Sequence, residues 1–110
     1  MSIQHKGLTV ERWRQMRLCE QMANIGSEVH RAFNWRNKGN ECLSQNAFIR
    51  ALELIDLSLA AHTEYPKLKE FARMRELLVD YFYGFHEYHT TEESWRKYFD
   101  QFNYMARKHL

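Results

Sequence analysis

The chain has 110 residues and a formal net charge of +2, with 45% hydrophobic residues, 15% aromatic residues and one proline. This length accommodates one hydrophobic core, so we expect a single helical domain over residues 1–110. The composition excludes a disordered chain, and the apolar runs are too short to cross a bilayer. The mild charge neither requires nor excludes a nucleic-acid partner.

The N-terminal residues predict a cytoplasmic protein. Residues 1–9 contain no apolar segment of the kind that signal peptides carry. Cys19 and Cys42 are the only cysteines. Without an export signal we expect two reduced thiols, and a disulfide between them is the alternative.

The first predicted helix covers residues 10–38. Thr9 can cap its start, and Gly39 is suited to its end. An apolar seam with alternating steps of four and three follows one side of this segment: Leu18, Met22, Ile25, Val29, Ala32 and Arg36. Gly26 weakens the helix interior by about 1 kcal/mol relative to alanine, which predicts the close approach of another helix there. The pattern leaves open whether residues 10–38 form one helix or a short N-terminal extension followed by a second helix.

Three further helices are predicted at residues 43–61, 66–83 and 91–108. Pro66 suits the first turn of its helix, and Thr90 with Glu93 has the spacing of a capping box. The loop at 84–89 is unusually rich in aromatic residues. Long helices joined by short loops predict an all-α fold, an up-and-down antiparallel four-helix bundle with a short N-terminal helical extension.

The helices at 43–61 and 66–83 are apolar on two faces, whereas a helix in a small bundle needs one apolar face. The second face consists of Leu54, Leu57, Met74, Leu77 and Tyr81. Left uncovered, it would expose several hundred Å2 of apolar surface. We interpret it as an interface with a second copy or a protein partner. The alternative is that the segment around Trp13 folds back and covers it.

Arg75 lies at the centre of the other apolar face of the helix at 66–83. A buried guanidinium needs a carboxylate partner, and Glu28, Glu53, Asp56 and Asp80 are the candidates. Arg75, Glu28 and Asp56 are therefore the predicted buried charges. The alternatives are a structural ion pair, an anion site, and an exposed arginine on a rotated helix.

No pattern in the chain identifies a reaction. His86 and His89 lie three residues apart in a loop, but His62 belongs to the loop at the other end of the predicted bundle, so no metal site is expected. No Glu-x-x-His motif, nucleophile elbow or phosphate-binding loop occurs. We therefore predict a protein that is not an enzyme, with no catalytic residues, no cofactor and no identified small-molecule substrate.

A second hypothesis is a nucleic-acid-binding accessory protein. The first predicted helix carries basic residues interleaved with an aromatic residue and asparagines, a mixture that can contact phosphates and stack on bases. The candidate residues are Arg12, Arg14, Arg17, Arg31, Trp35, Arg36 and Lys38.

Four segments carry a resemblance to known proteins: MANIGSEV at 22–29, WRNKGN at 35–40, RALELIDL at 50–57 and DYFYG at 80–84. With these segments the chain resembles a family of short bacterial all-helical proteins that has no established activity. In architecture alone it is also similar to HEPN domains and to the accessory four-helix bundles of retroelements. The ribonuclease members of the HEPN group carry an arginine followed four to six residues later by histidine, and no arginine in this chain has that spacing.

These observations favour a non-catalytic interaction module that self-associates, or binds a protein partner, through the second apolar face.

Overall fold

The computed structural model describes residues 9–108, which contain helices and no strand. These residues form five helices: α1 (Val10–Arg14), α2 (Leu18–Asn37), α3 (Glu41–Ala61), α4 (Tyr65–Tyr83) and α5 (Glu92–Lys108). The predicted helix at residues 10–38 is thus two helices, interrupted at residues 15–17. The other predicted helices begin and end within two residues of the observed bounds.

Local sequence explains most of the helix ends. The Thr9 hydroxyl accepts a hydrogen bond from the Arg12 amide, as expected for an N-cap. Gly39 ends the turn after α2 with a φ of +81°, a conformation that glycine adopts without strain.

The predicted capping box before α5 is wrong by one residue. The Thr91 hydroxyl accepts from the Ser94 amide (3.1 Å), and the Ser94 hydroxyl accepts from the Thr91 amide (3.0 Å). The Thr90 hydroxyl instead accepts a hydrogen bond from the indole of Trp95. The motif forms at the next threonine because serine can replace glutamate as the reciprocal acceptor.

The core is organised around α2, which packs against α3 and α5, while α3 also packs against α1 and α4. The middle of the predicted seam on α2 is buried, and its two ends are more exposed. Phe33, Phe48 and Phe82 stack where α2, α3 and α4 meet.

Gly26 marks the contact between α2 and α5. A Cβ at this position would lie 2.7 Å from the Cβ of Phe99, closer than carbon atoms approach one another. The predicted close approach of a second helix is therefore confirmed.

A buried polar network fastens α1 onto α3. Trp13 is fully buried, and its indole donates to the Ser58 hydroxyl (2.7 Å). The Gln21 amide donates to the Trp13 carbonyl (2.7 Å) and accepts from the His62 imidazole (2.7 Å). The short first helix is thus part of the core, and it covers one end of α3.

Candidate interaction surface

In the structure, the residues of the second apolar face do not form one exposed surface. Leu54 and Met74 are each only 2% exposed and belong to the core, so their assignment to an exposed interface is wrong. Leu57, Leu77 and Tyr81 are half-buried and pack against that core. The physical reason is that three helices contact α3. Together they cover more of its surface than its neighbours in a four-helix bundle would.

The α3 part of this face follows the alternative interpretation. Trp13 from α1 packs at Ser58, one turn after Leu54 on the same side of α3. The segment around Trp13 therefore folds back over α3. Tyr81 on α4 is held differently, since its hydroxyl accepts a hydrogen bond from Arg36 (2.7 Å).

The seven basic and aromatic residues proposed for nucleic acid do not form one patch. Arg17 and Arg36 are 19 residues apart on α2, which corresponds to about 28 Å along the helix. Arg17 pairs with Glu20 and donates to the Ala106 carbonyl of α5. Three residues lie at or before the start of α2, and the other four lie in its second half or directly after its end: Arg12, Arg14 and Arg17, then Arg31, Trp35, Arg36 and Lys38.

The Arg36 guanidinium contacts aromatic rings and a carboxylate of its own chain. Its guanidinium lies 5.0 Å from the ring centre of Tyr81 and 5.3 Å from that of Phe33. It also pairs with Glu92 of α5, which accepts further hydrogen bonds from Asn37 and Arg96. Burial alone would raise the pKa of Glu92, but the hydrogen bonds from Arg96 and Asn37 outweigh it and lower the pKa. This cluster fastens α2 to α5.

The carboxylate partner of Arg75 is Asp56, one of the four candidates. The Arg75 Nε lies 2.9 Å from the Asp56 Oδ1. The predicted burial of this pair is wrong, because the side chains of Arg75 and Asp56 are 39% and 51% exposed. The core side of α4 is formed by Phe71, Met74 and Leu78, and Arg75 lies at the edge of that side rather than at its centre.

Glu28 is the predicted buried charge that the structure does bury. Its carboxylate pairs with Arg31 (2.8 Å) on its own helix and with Arg50 (3.1 Å) on α3. Two guanidinium partners supply the compensation that a buried carboxylate requires. The arrangement is a structural link between α2 and α3.

Within residues 9–108, no group of three or more His, Cys, Asp or Glu side chains is arranged to hold a metal ion. Cys19 and Cys42 are both free thiols.

The loop between α4 and α5 carries the most exposed large apolar side chain of the described residues. Phe85 is 93% exposed, and Tyr83 and Tyr88 on either side of it are 53% and 48% exposed. We call these three residues the aromatic end. The aromatic run around Gly84 is visible in the sequence, but the predicted interface does not include it.

This loop is braced rather than loosely attached. The Asp80 carboxylate accepts hydrogen bonds from the backbone amides of Glu87 (2.9 Å) and Tyr88 (3.3 Å). The Tyr88 hydroxyl donates to Glu76 (2.6 Å) on α4, and this bond raises the pKa of Tyr88. These three hydrogen bonds hold the loop against the last two turns of α4.

Two residues of the loop have left-handed backbone conformations. His86 and His89 have φ angles of 57° and 54°. For residues other than glycine such conformations cost about 1–3 kcal/mol each, and they concentrate at functional sites. The loop is thus held by hydrogen bonds, contains two left-handed residues and exposes Phe85 almost completely. We regard it as a candidate binding element.

A groove runs between α4 and α5, whose backbones make little contact. Its cavity of about 290 Å3 has an apolar lining of Met74, Leu77, Trp95 and Tyr98. Glu70, Arg73, Thr90 and Ser94 complete the lining. We call this cavity the α4–α5 groove.

The Tyr98 hydroxyl donates to Glu70 across the groove. Burial, followed by this hydrogen bond, raises the pKa of Tyr98. The phenol therefore stays protonated and acts as a fixed donor that links α5 to α4 at this point.

No protein-family model, curated protein or solved structure matches this chain. The comparisons therefore supply no relative from which a site or an activity could be transferred. None of the helices in residues 9–108 combines the length and the apolar character needed to span a membrane.

Proposed function

We propose that this protein is a non-catalytic interaction module, an antiparallel four-helix bundle with a short N-terminal helix, that self-associates through its aromatic end. The observation that carries the proposal is the exposure of Phe85 on a loop braced by Asp80 and Glu76. Exposed aromatic side chains on rigid elements are typical anchors of protein interfaces, because little conformational entropy is lost when they bind.

The area of the aromatic end suits a small interface. A large aromatic side chain buries about 150–250 Å2. With the exposed fractions of Tyr83, Phe85 and Tyr88, the aromatic end offers about 300–500 Å2 per copy. Two copies would together bury about 600–1,000 Å2 of aromatic surface, and flanking residues bring this near the ~1,200 Å2 at which stable interfaces begin.

A second copy is the partner that we propose. Two-fold dimers are the commonest assemblies of soluble chains, and they bring the same patch of each copy together. The net charge of +2 produces little repulsion between copies. Interfaces at the lower end of the size range are typical of weak, transient association, so we expect a reversible dimer rather than a permanent one.

The test is sedimentation equilibrium of the wild-type chain and of Phe85→Glu over a range of concentrations. We expect the wild type to dimerise and Phe85→Glu to remain monomeric, with unchanged helix content by circular dichroism. Tyr65→Glu is the matched control, because Tyr65 is also highly exposed but begins α4, far from the loop. A wild type that stays monomeric, or a Phe85→Glu variant that still dimerises, would refute the proposal.

The same samples test the nucleic-acid hypothesis. Protein purified without nuclease should give an absorbance spectrum free of excess absorbance at 260 nm. Copurified nucleic acid that dissociates at high salt would instead favour a phosphate-binding surface.

A further inference from the structure

We infer that the α4–α5 groove of one copy is the receptor for Phe85 of a second copy. The inference rests on the proposed function and specifies its geometry. Each copy would supply one phenylalanine and one groove, so that a two-fold dimer contains two identical contacts.

The size of the groove fits a phenyl ring. An apolar protein cavity of about 150 Å3 is enough to bind benzene. At about 290 Å3, the α4–α5 groove has room for the ring together with the Cβ and part of the backbone that carries it. Phe85 is 93% exposed, so it does not occupy the groove of its own chain.

The lining of the groove also fits an aromatic guest. Leu77 and Tyr98, which are half-buried, line the groove with apolar and aromatic surface, and the buried Met74 and Trp95 form its floor. Several polar side chains of the lining already have hydrogen-bond partners. The Tyr98 hydroxyl donates to Glu70, and the Thr90 hydroxyl accepts from the indole of Trp95. An apolar ring can therefore enter without depriving these groups of hydrogen bonds.

The positions of Phe85 and the groove suit a closed dimer. The groove lies along the middle of α4 and the first half of α5, and Phe85 lies in the loop between these helices, eight residues after Leu77 and five before Thr90. A two-fold axis near this loop allows both contacts to form at once. Closure by two-fold symmetry limits the assembly to two copies, whereas a head-to-tail contact would continue into a filament.

The test combines a variant without the phenylalanine and a variant with a filled groove. Phe85→Ala keeps an open groove, and Leu77→Trp keeps Phe85 but fills the groove with a larger side chain. Each variant alone should lose both contacts, and we expect its dimer to dissociate at least about 100-fold more readily than the wild type.

Mixing the two variants is the decisive step. A heterodimer would regain one contact, in which Phe85 of the Leu77→Trp chain enters the open groove of the Phe85→Ala chain. Native mass spectrometry, which resolves the three dimers by mass, should find the heterodimer at least about tenfold tighter than either variant homodimer. Phe85→Ala mixed with Tyr65→Ala, whose groove is open, serves as a positive control.

The outcomes separate the proposed self-association from the proposed role of the α4–α5 groove as receptor. If Leu77→Trp dimerises like the wild type while Phe85→Ala does not, the groove is not the receptor and only self-association through the loop survives. If both variants are monomeric and mixing restores nothing, the reciprocal contact is refuted. A monomeric wild type would refute self-association itself.

A second groove variant keeps the test valid if Leu77→Trp unfolds. Arg73 lines the groove but is exposed and forms no ion pair within residues 9–108, so Arg73→Trp can fill the groove from its rim without disturbing the core. We expect Arg73→Trp to behave as Leu77→Trp does, and a fully dimeric Arg73→Trp chain would overturn the inference.

Discussion

Replacing Gly26 with alanine should destabilise the protein, although alanine is the better helix former. The added Cβ would lie 2.7–2.9 Å from three atoms of Phe99, whereas carbon atoms pack at about 3.5–4.0 Å. One of these atoms is the Phe99 Cβ, which no side-chain rotation can move, so α5 must shift by about 1 Å. Overpacking of this kind costs about 1–3 kcal/mol, and the gain in helix propensity offsets about 1 kcal/mol.

We expect a net loss between a few tenths of a kcal/mol and about 2 kcal/mol in the free energy of unfolding. The assay is urea denaturation followed by circular dichroism, with all variants carrying Phe85→Ala so that association does not contribute to stability. Ser27→Ala is the control, because Ser27 is exposed on the same turn of α2 and should gain a few tenths of a kcal/mol. If Gly26→Ala were as stable as its parent or more stable, the close contact between α2 and α5 would be refuted.

Two further predictions concern charged groups. Burial, and then the charge of Lys67, lower the pKa of His62 below 6.5, so the folded chain binds a proton less readily than the unfolded chain. The free energy of unfolding should therefore be highest above about pH 6.5 and decrease as the pH falls below that value. In urea denaturation at a series of pH values, the free energy of unfolding of His62→Gln should decrease less steeply than that of the wild type. An equally steep decrease would contradict this reasoning. Arg75→Met should change the free energy of unfolding by less than about 1 kcal/mol, because its ion pair with Asp56 is exposed. A loss of several kcal/mol in the same assay would mean that Arg75 is needed in the core.

Helix positions could be predicted from sequence because their signals are local. Pro66, Gly39 and the seam on α2 act within a few residues, and the observed helices follow them closely. Gly26 was informative for the same reason, since a glycine inside a helix indicates a neighbour at close distance.

The orientation of α4 could not be predicted in the same way. Both of its apolar faces are plausible core faces, and the choice depends on how α3 and α5 pack around it. That packing buries Met74 beside Phe71 and Leu78 of the predicted core face, and it leaves Arg75 at the edge of the buried side. Helical periodicity predicts two apolar faces but does not specify where between them the buried side is centred.

The aromatic end was difficult to recognise because its exposure is a tertiary property. Aromatic residues in a loop more often fold back onto a core than project from it. The loop that carries Phe85 is held in place by hydrogen bonds that the Asp80 carboxylate accepts from the amides of Glu87 and Tyr88, together with the bond from Tyr88 to Glu76. The sequence shows which residues form the binding element. The rigidity of this loop depends on hydrogen bonds between residues that are seven and eight positions apart.

The most direct test of the account is the mass of the chain in solution, measured by sedimentation equilibrium from low to high micromolar concentration. We predict that the mass of the wild type rises toward twice the 13.4 kDa of one chain and that the mass of Phe85→Glu stays at 13.4 kDa. A wild-type mass of 13.4 kDa across the whole range would contradict it.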